Sequence, residues 1–323
     1  MNKSETKTIN IEKTKRSYFP SNTGDLIFEK LTLLFAVLVF LLVVLMGYEV
    51  YQGSRLSIEK FGWSFLGNSV WDPVQEIYGA LPIIYGTIVS SMLALVLALP
   101  LSIGIAIYLA EVAPPWLEKP VSFLVELLAG IPSVIYGLWG IFVMVPWLRD
   151  KLEPFLSDKF GSLPFFTGAP YGFGMLAAVL ILAIMVLPII SSISRDVLKS
   201  IPHAQREAAL ALGATKWQST LIVLRDAKSG ILGATMLGFG RAVGETMAVT
   251  MVIGNRAVIS PSLFDPSYTM ASVIANEFSE ATTPMYMSAL VELALVLFAI
   301  TVIINALAQL LVWSMSRKWK SGK

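Results

Sequence analysis

LIFEKLTLLFAVLVFLLVVLMGY, residues 26–48, decides which solvent this chain is built for: between Lys30 and Glu49 no charged residue occurs. A helix needs about 20 predominantly apolar residues to cross the hydrocarbon core of a bilayer, and this run supplies them. The 25 residues before it, MNKSETKTINIEKTKRSYFPSNTGD, are polar and basic. They are too long and too charged for the n-region of a cleaved signal, and the apolar run exceeds a signal-type core. The reading is a cytoplasmic tail over 1–25 and a first transmembrane helix over 26–48.

Composition agrees. Of 323 residues 55% are hydrophobic and only 14% charged, against about 25% charged in average soluble chains, and the mean hydropathy is +0.71. This is an integral membrane protein in contact with lipid. The absence of cysteine excludes disulfides and thiolate metal sites, and a single histidine, His203, excludes a histidine-based metal centre. A net charge of +2 gives no reason to expect nucleic acid. No repeat and no low-complexity tract occurs, and no cofactor is implied.

Five further segments are long and apolar enough to span, about 80–110, 121–145, 172–194, 230–254 and 286–314. In lipid the backbone must bond to itself, so all six are expected to be helices, with kinks at Pro82, Pro100, Pro132 and Pro188. With both termini inside, the inner side holds 17 of the 24 Lys and Arg residues, the outer side 6, and Arg241 lies within a span. That asymmetry makes both ends cytoplasmic. The outer loops, about 49–79, 146–171 and 255–285, are too short for an enzyme domain. The core then runs over 80–314, with one sizeable inner loop, 195–229, and a cytoplasmic tail over 315–323.

The inner loop reads RDVLKSIPHAQREAALALGATKWQSTLIVLRDAKS. Ser200 is expected to cap a helix with Pro202 in its first turn, Gly213 to close it in a left-handed conformation, and Thr215 to cap a second short helix. Ala204, Ala208 and Ala211 give the elbow a small-residue face that lets another backbone approach. An ordinary surface connection and a docking element both fit this composition. The spacing E-A-A-x-x-x-G, here Glu207, Ala208, Ala209 and Gly213, resembles the coupling loop of ABC-transporter permeases, which sits in a groove of the ATP-hydrolysing subunit. Where that family continues with I-x-L-P, this chain has Val223, Leu224, Arg225 and Asp226. No G-x-x-x-x-G-K-[ST] phosphate loop occurs, so the chain is read as non-catalytic, with ATP hydrolysed by a separate chain.

The other unusual stretch is GFGRAVGETMAV, residues 238–249. A charge at the depth of Arg241 costs at least about 2.5–3.5 kcal/mol on insertion scales, so it must face protein or a watery path. The spacing of four puts Glu245 on the same helix face, close enough to pair with it. Such a pair either fixes helix packing or holds a guanidinium ready for a bidentate oxyanion. Glu126 and Glu292, the other intramembrane acids, either line the same path or make packing contacts.

The run G-R-A-x-G-E-T-M-A-V, with V-I-G-N at 252–255 and A-N-E-F-S-E-A at 275–281, is similar to the C-type membrane subunit of the phosphate-specific ABC transporter family. So are Y-G-T-I-V-S-S at 85–91, L-P-L-S-I-G-I-A-I-Y-L-A-E at 99–111 and G-I-P-S-V-I-Y-G-L-W-G at 130–140. The likeness spans about 78–315. It implies an all-α type I importer permease, a five-helix core plus an N-terminal helix, with Arg241 and Glu245 needed for phosphate passage. It also implies a second, similar permease, a cytoplasmic ATPase dimer and an extracytoplasmic phosphate-binding protein. A permease for another oxyanion (molybdate or sulfate), an ion-coupled carrier using Glu245 as proton relay, and a signalling protein without flux remain as alternatives. Asn276, Glu277 and Glu280 are read as a solvated loop or a docking point for a delivery protein, and Trp63, Trp71, Trp147 and Trp313 as an interfacial belt. His203 is read as a polar residue at a helix start, and the methionines of 236–251 as packing.

Overall fold

The computed structural model describes residues 23–320, and these contain helices and no β-strand. In chain order we label α1 Thr23–Phe61, α2 Leu81–Val112, α3 Pro115–Ala129, α4 Ser133–Phe160, α5 Met175–Ser200, α6 His203–Ala211, α7 Lys216–Val243, α8 Met247–Val252, α9 Met270–Glu277 and α10 Pro284–Lys320. The tail expected over 1–25 lies outside the described residues up to 22, as do the last three residues of the tail expected over 315–323. Between them α10 stays helical to Lys320.

The described residues fall into two compact units, up to Glu49 and from Val50 on. In the first, the apolar window of α1 has a mean hydropathy of 2.8 and no buried residue. Phe28, Leu34, Phe40 and Leu42 all stand exposed. An apolar surface of this kind is matched by lipid and not by water.

The second unit is built round α5, 67% of whose apolar window is buried. Ala177, Ala178, Ile181, Leu182, Val186 and Ile190 meet Ala94 and Ala98 of α2, Ala242 of α7 and Val252 of α8. Lipid tails are as apolar as these side chains, so close fit rather than escape from water holds the helices together. The sequence supplies the fit with small residues. A Cβ on Gly238 of α7 would stand 2.6 Å from Ile190, and Gly86 of α2 lies directly against the carbonyl of Tyr268. Polar stitches add direction: Ser102 donates to the Leu187 carbonyl at 3.1 Å, and the Met270 N–H donates to Thr87 Oγ1 at 2.9 Å.

Four helices, α1, α2, α5 and α10, are long and apolar enough to cross a membrane, and α3 with α4 makes a fifth candidate bent by 91°. The segment expected as one span over 121–145 is therefore two helices. Gly130 closes α3, Pro132 stands extended (φ −57°, ψ 137°) at the cap of the next helix, and α4 starts afresh. Pro100 and Pro188 sit inside unbroken helices. The segment expected over 230–254 is the second half of α7 followed by α8, interrupted at residues 244–246. With Arg225, Asp226, Lys228 and Arg241 in it, α7 is too polar to count as a span by composition. Loops shrink correspondingly. The helix α1 runs through to Phe61, α4 runs to Phe160, and the connection expected over 195–229 is loop only at 201–202 and 212–215.

Candidate translocation site

The glycine-rich stretch of 238–249 ends one helix and begins another. At Gly244 the backbone (φ −91°, ψ 0°) leaves the helical path, and α8 restarts at Met247. The expected Arg241–Glu245 pair is consequently not formed: no ion pair within 4 Å joins them among the described residues. The spacing of four makes neighbours only on a continuous helix, and this one stops between the two residues. Glu245 is buried, and its Oε1 accepts from the Ala248 N–H at 3.4 Å, capping the first turn of α8. Arg241 is exposed and lines a cavity of about 520 Å³ with Gly240, Met236, Thr301 and Asn305. It lies within electrostatic reach of Tyr136 on α4. A helix break in the middle of the bundle thus separates the roles: the carboxylate serves the backbone, and the guanidinium is left for the cavity.

Neither Glu126 nor Glu292 lines that cavity. Glu126 on α3 pairs with Arg195 of α5 at 2.9 Å. Glu292 is buried in α10 near Ser57, where the Ser57 N–H donates to Ser288 Oγ and Ser288 Oγ donates to the Gly53 carbonyl. Of the two readings open for these acids, the geometry gives both a helix-joining position.

The elbow expected after α5 is present, with two corrections. Ser200 is the last residue of α5 and donates back to the Val197 carbonyl, so it caps nothing. Pre-proline Ile201 is extended, and Pro202 itself takes the capping position of α6. Gly213 does adopt the left-handed conformation (φ +84°). Thr215 does cap α7 in a reciprocal box, with Thr215 N–H to Gln218 Oε1 at 2.8 Å and Gln218 N–H to Thr215 Oγ1 at 3.3 Å. The second helix is not short: α7 runs 28 residues. The elbow and Arg241 therefore stand at opposite ends of one rod, about 38 Å apart at 1.5 Å per residue. On α6 the face Ala204, Glu207, Ala208 and Ala211 is exposed, while Ala209 is buried.

An ion pair that sequence reading missed anchors this elbow. Arg206 of α6 reaches the Glu111 carboxylate at the end of α2 (Nη2 to Oε1 2.5 Å, Nε to Oε2 3.0 Å) and also donates to the carbonyls of Leu198 and Ile201 at 2.9 and 2.8 Å. The two side chains are 14% and 9% exposed. Lys199 pairs with Glu118 in the same way, so Glu111, Glu118 and Glu126 form a ladder against Arg206, Lys199 and Arg195. No local signal reveals such pairs, whose members lie 69 to 95 residues apart.

On the opposite end of the bundle, Asn276 and Glu277 belong to α9 rather than to a loop. Glu277 accepts from Trp71 Nε1 at 2.8 Å and from the Tyr286 hydroxyl at 2.7 Å, and Asn276 donates to Tyr268 Oη at 3.0 Å. Trp71, read as a belt residue, is instead half-buried against Phe65 and Tyr78. Burial, and next the nearby Glu76, pushes the Tyr78 phenol up to about 12.

Residues 102–317 match the family model described as the binding-protein-dependent transport system inner membrane component. The chain is 46% identical over 307 residues to the phosphate transport system permease protein PstC of Haemophilus influenzae, covering 94% of this chain and 97% of that one. To the protein of the same name from Xylella fastidiosa it is 48% identical, over 88% and 90%. Among solved structures it resembles a chain of a bacterial alginate ABC transporter (TM-score 0.58, 16% identity, 90% of this chain and 96% of that chain), a likeness of fold. By the extent of the family match and by these identities, the chain belongs to the binding-protein-dependent transport system inner membrane components, multi-pass permeases of the ABC importer fold.

Proposed function

We propose that this chain is the permease subunit through which an ATP-driven importer passes inorganic phosphate. The observation that carries the reading is Arg241. It is a fixed cation facing a cavity without an acidic partner among the described residues, at a helix break, in a chain 46% identical to a phosphate transport system permease. Its fork of donors suits two oxygens of a tetrahedral oxyanion at once. Buried Glu245, capping α8 nearby, tempers the local positive charge so that the anion binds weakly enough to leave.

In this reading a second, similar permease completes the path, and a soluble phosphate-binding protein delivers the substrate from outside. Both termini are cytoplasmic, and a cytoplasmic ATPase dimer receives the exposed Ala204–Glu207–Ala208–Ala211 face of α6, near Ala209 and Gly213. ATP hydrolysis belongs to that partner. Closing the ATPase pair moves the elbow, and the rod α7 carries the movement to Arg241. The Arg206–Glu111 bond carries it to α2.

The test is uptake of labelled phosphate by vesicles holding the assembled complex, comparing the parent with Arg241→Ala. ATP-dependent uptake in the parent, lost in a variant that still assembles, is the expected result. Uptake that ignores ATP and collapses with an uncoupler would refute the importer reading in favour of an ion-coupled carrier. Equal uptake by both proteins would remove Arg241 from the path.

A further inference from the structure

The helix α10 carries Thr301, Asn305 and Gln309 at successive intervals of four, which places them on one face over about 12 Å. Asn305 and Gln309 are exposed, and neither side chain has a hydrogen-bond partner among the described residues. An unpartnered amide turned to hydrocarbon is costly, so this face must meet water or another polar surface.

Two cavities lie along it. The first, about 520 Å³, holds Arg241, Gly240, Thr301 and Asn305; the second, about 490 Å³, holds Gly233, Asn305, Gln309 and Trp313. They share Met236, Leu237 and Asn305 and so make one groove between α7 and α10. Because the helices run antiparallel, the groove leads from Arg241 toward the end of α7 that bears the elbow. Its α7 wall is thinned by glycine. A Cβ on Gly240 would sit 3.9 Å from Asn305 Oδ1, and one on Gly233 would meet nothing within 4 Å. The Asn305 amide therefore stands beside the backbone next to Arg241.

We infer that Thr301, Asn305 and Gln309 line the inward half of the translocation path and hand a protonated tetrahedral oxyanion from Arg241 to the cytoplasmic side. This rests on the phosphate-importer reading above. The chemistry fits a release limb. Amides offer N–H donors to anionic oxygens and a carbonyl to the hydroxyl of hydrogen phosphate. Being neutral, they hold the anion less tightly than a guanidinium, which gives the stepwise weakening that passage needs.

The chain has no cysteine, so a single introduced thiol is unique within it. Asn305→Cys and Gln309→Cys are to be compared, in the assembled complex in vesicles, with Ile303→Cys and Leu307→Cys, which are exposed on the opposite side of α10. The probe is a membrane-impermeant anionic thiosulfonate offered from the inner side, with and without inorganic phosphate. Expected is labelling at 305 and 309 about tenfold or more faster than at 303 and 307, because only a wet thiol ionises to the reactive thiolate. Phosphate should slow it. Equal rates at all four positions, or labelling at 305 and 309 that phosphate leaves unchanged, would overturn the inference. Phosphate uptake by the parent complex would then still support the importer reading. A parent complex that imports no phosphate sinks both.

Discussion

Removing Arg206 should cost more than any change at an exposed charge, and the structure says how much. The guanidinium is the sole partner of Glu111 among the described residues, and the carboxylate is 9% exposed. Arg206→Ala leaves that carboxylate buried and uncompensated, a loss of about 3–5 kcal/mol for a pair of this kind. The double variant Glu111→Leu with Arg206→Leu removes both charges and forfeits chiefly the bonds to the Leu198 and Ile201 carbonyls, at about 1 kcal/mol each. It should therefore lose only about 2 kcal/mol, less than the single variant. The comparator is Arg149→Ala, whose pair with Asp150 is more than half exposed and so screened by solvent that its loss should barely change stability. Unfolding of the purified chain in mixed detergent–denaturant micelles, followed by tryptophan fluorescence, measures all three. If Arg206→Ala costs no more than Arg149→Ala, or if the double variant is worse than Arg206→Ala, the bond is not the buried anchor described.

Two further outcomes follow from local geometry. Gly213→Ala forces a side chain into a left-handed backbone (φ +84°) and should destabilise the elbow by about 1–2 kcal/mol; faster proteolysis between residues 211 and 216 reads it out, and unchanged cleavage contradicts it. Tyr78 is fully buried with an unpartnered hydroxyl, and burial pushes its phenol up to about 12 from the ordinary value of 10.0. A raised folded value favours the neutral form, so this contribution is complete below pH 10 and is lost as pH climbs through 12. Tyr78→Phe should be as stable as the parent at neutral pH and lose less stability above pH 10, measured by alkaline unfolding. A stability loss at pH 7 would mean the hydroxyl has a partner.

Hydropathy made α1, α2, α5 and α10 readable, because a long uncharged run in lipid has no alternative to a helix. The reciprocal cap at Thr215 and the turn at Gly213 were readable too, since each rests on residues within a few positions. The misreadings share a cause. Hydropathy is blind to a change of direction, so 121–145 and 230–254 looked like single spans although Pro132 and Gly244 interrupt them. The Arg241–Glu245 spacing then inherited a helix that ends at Val243. Ser200 looked like a cap because its own helix, α5, was expected to stop at 194. The Glu111–Arg206 bond joins segments 95 residues apart, and nothing within either segment names the other. Asn305 and Gln309 were visible as two amides in an apolar run, but their meaning depends on α7 lying opposite.

The broken limb of α7 and α8 also bears on how the protein enters the membrane. Arg241 alone adds about 2.5–3.5 kcal/mol to partition at a helix centre, and α8, at six residues, spans about 9 Å. Lipid by itself has little reason to accept this segment from an insertion machinery. Its neighbours do: α5 precedes it with the surface that Gly238 and Ala242 fit, and α10 follows with the other wall of the groove. Insertion of this limb is thus an act of assembly. It depends on helices made before and after it, and the residues too polar to enter lipid unaided are among those the finished permease keeps beside its groove.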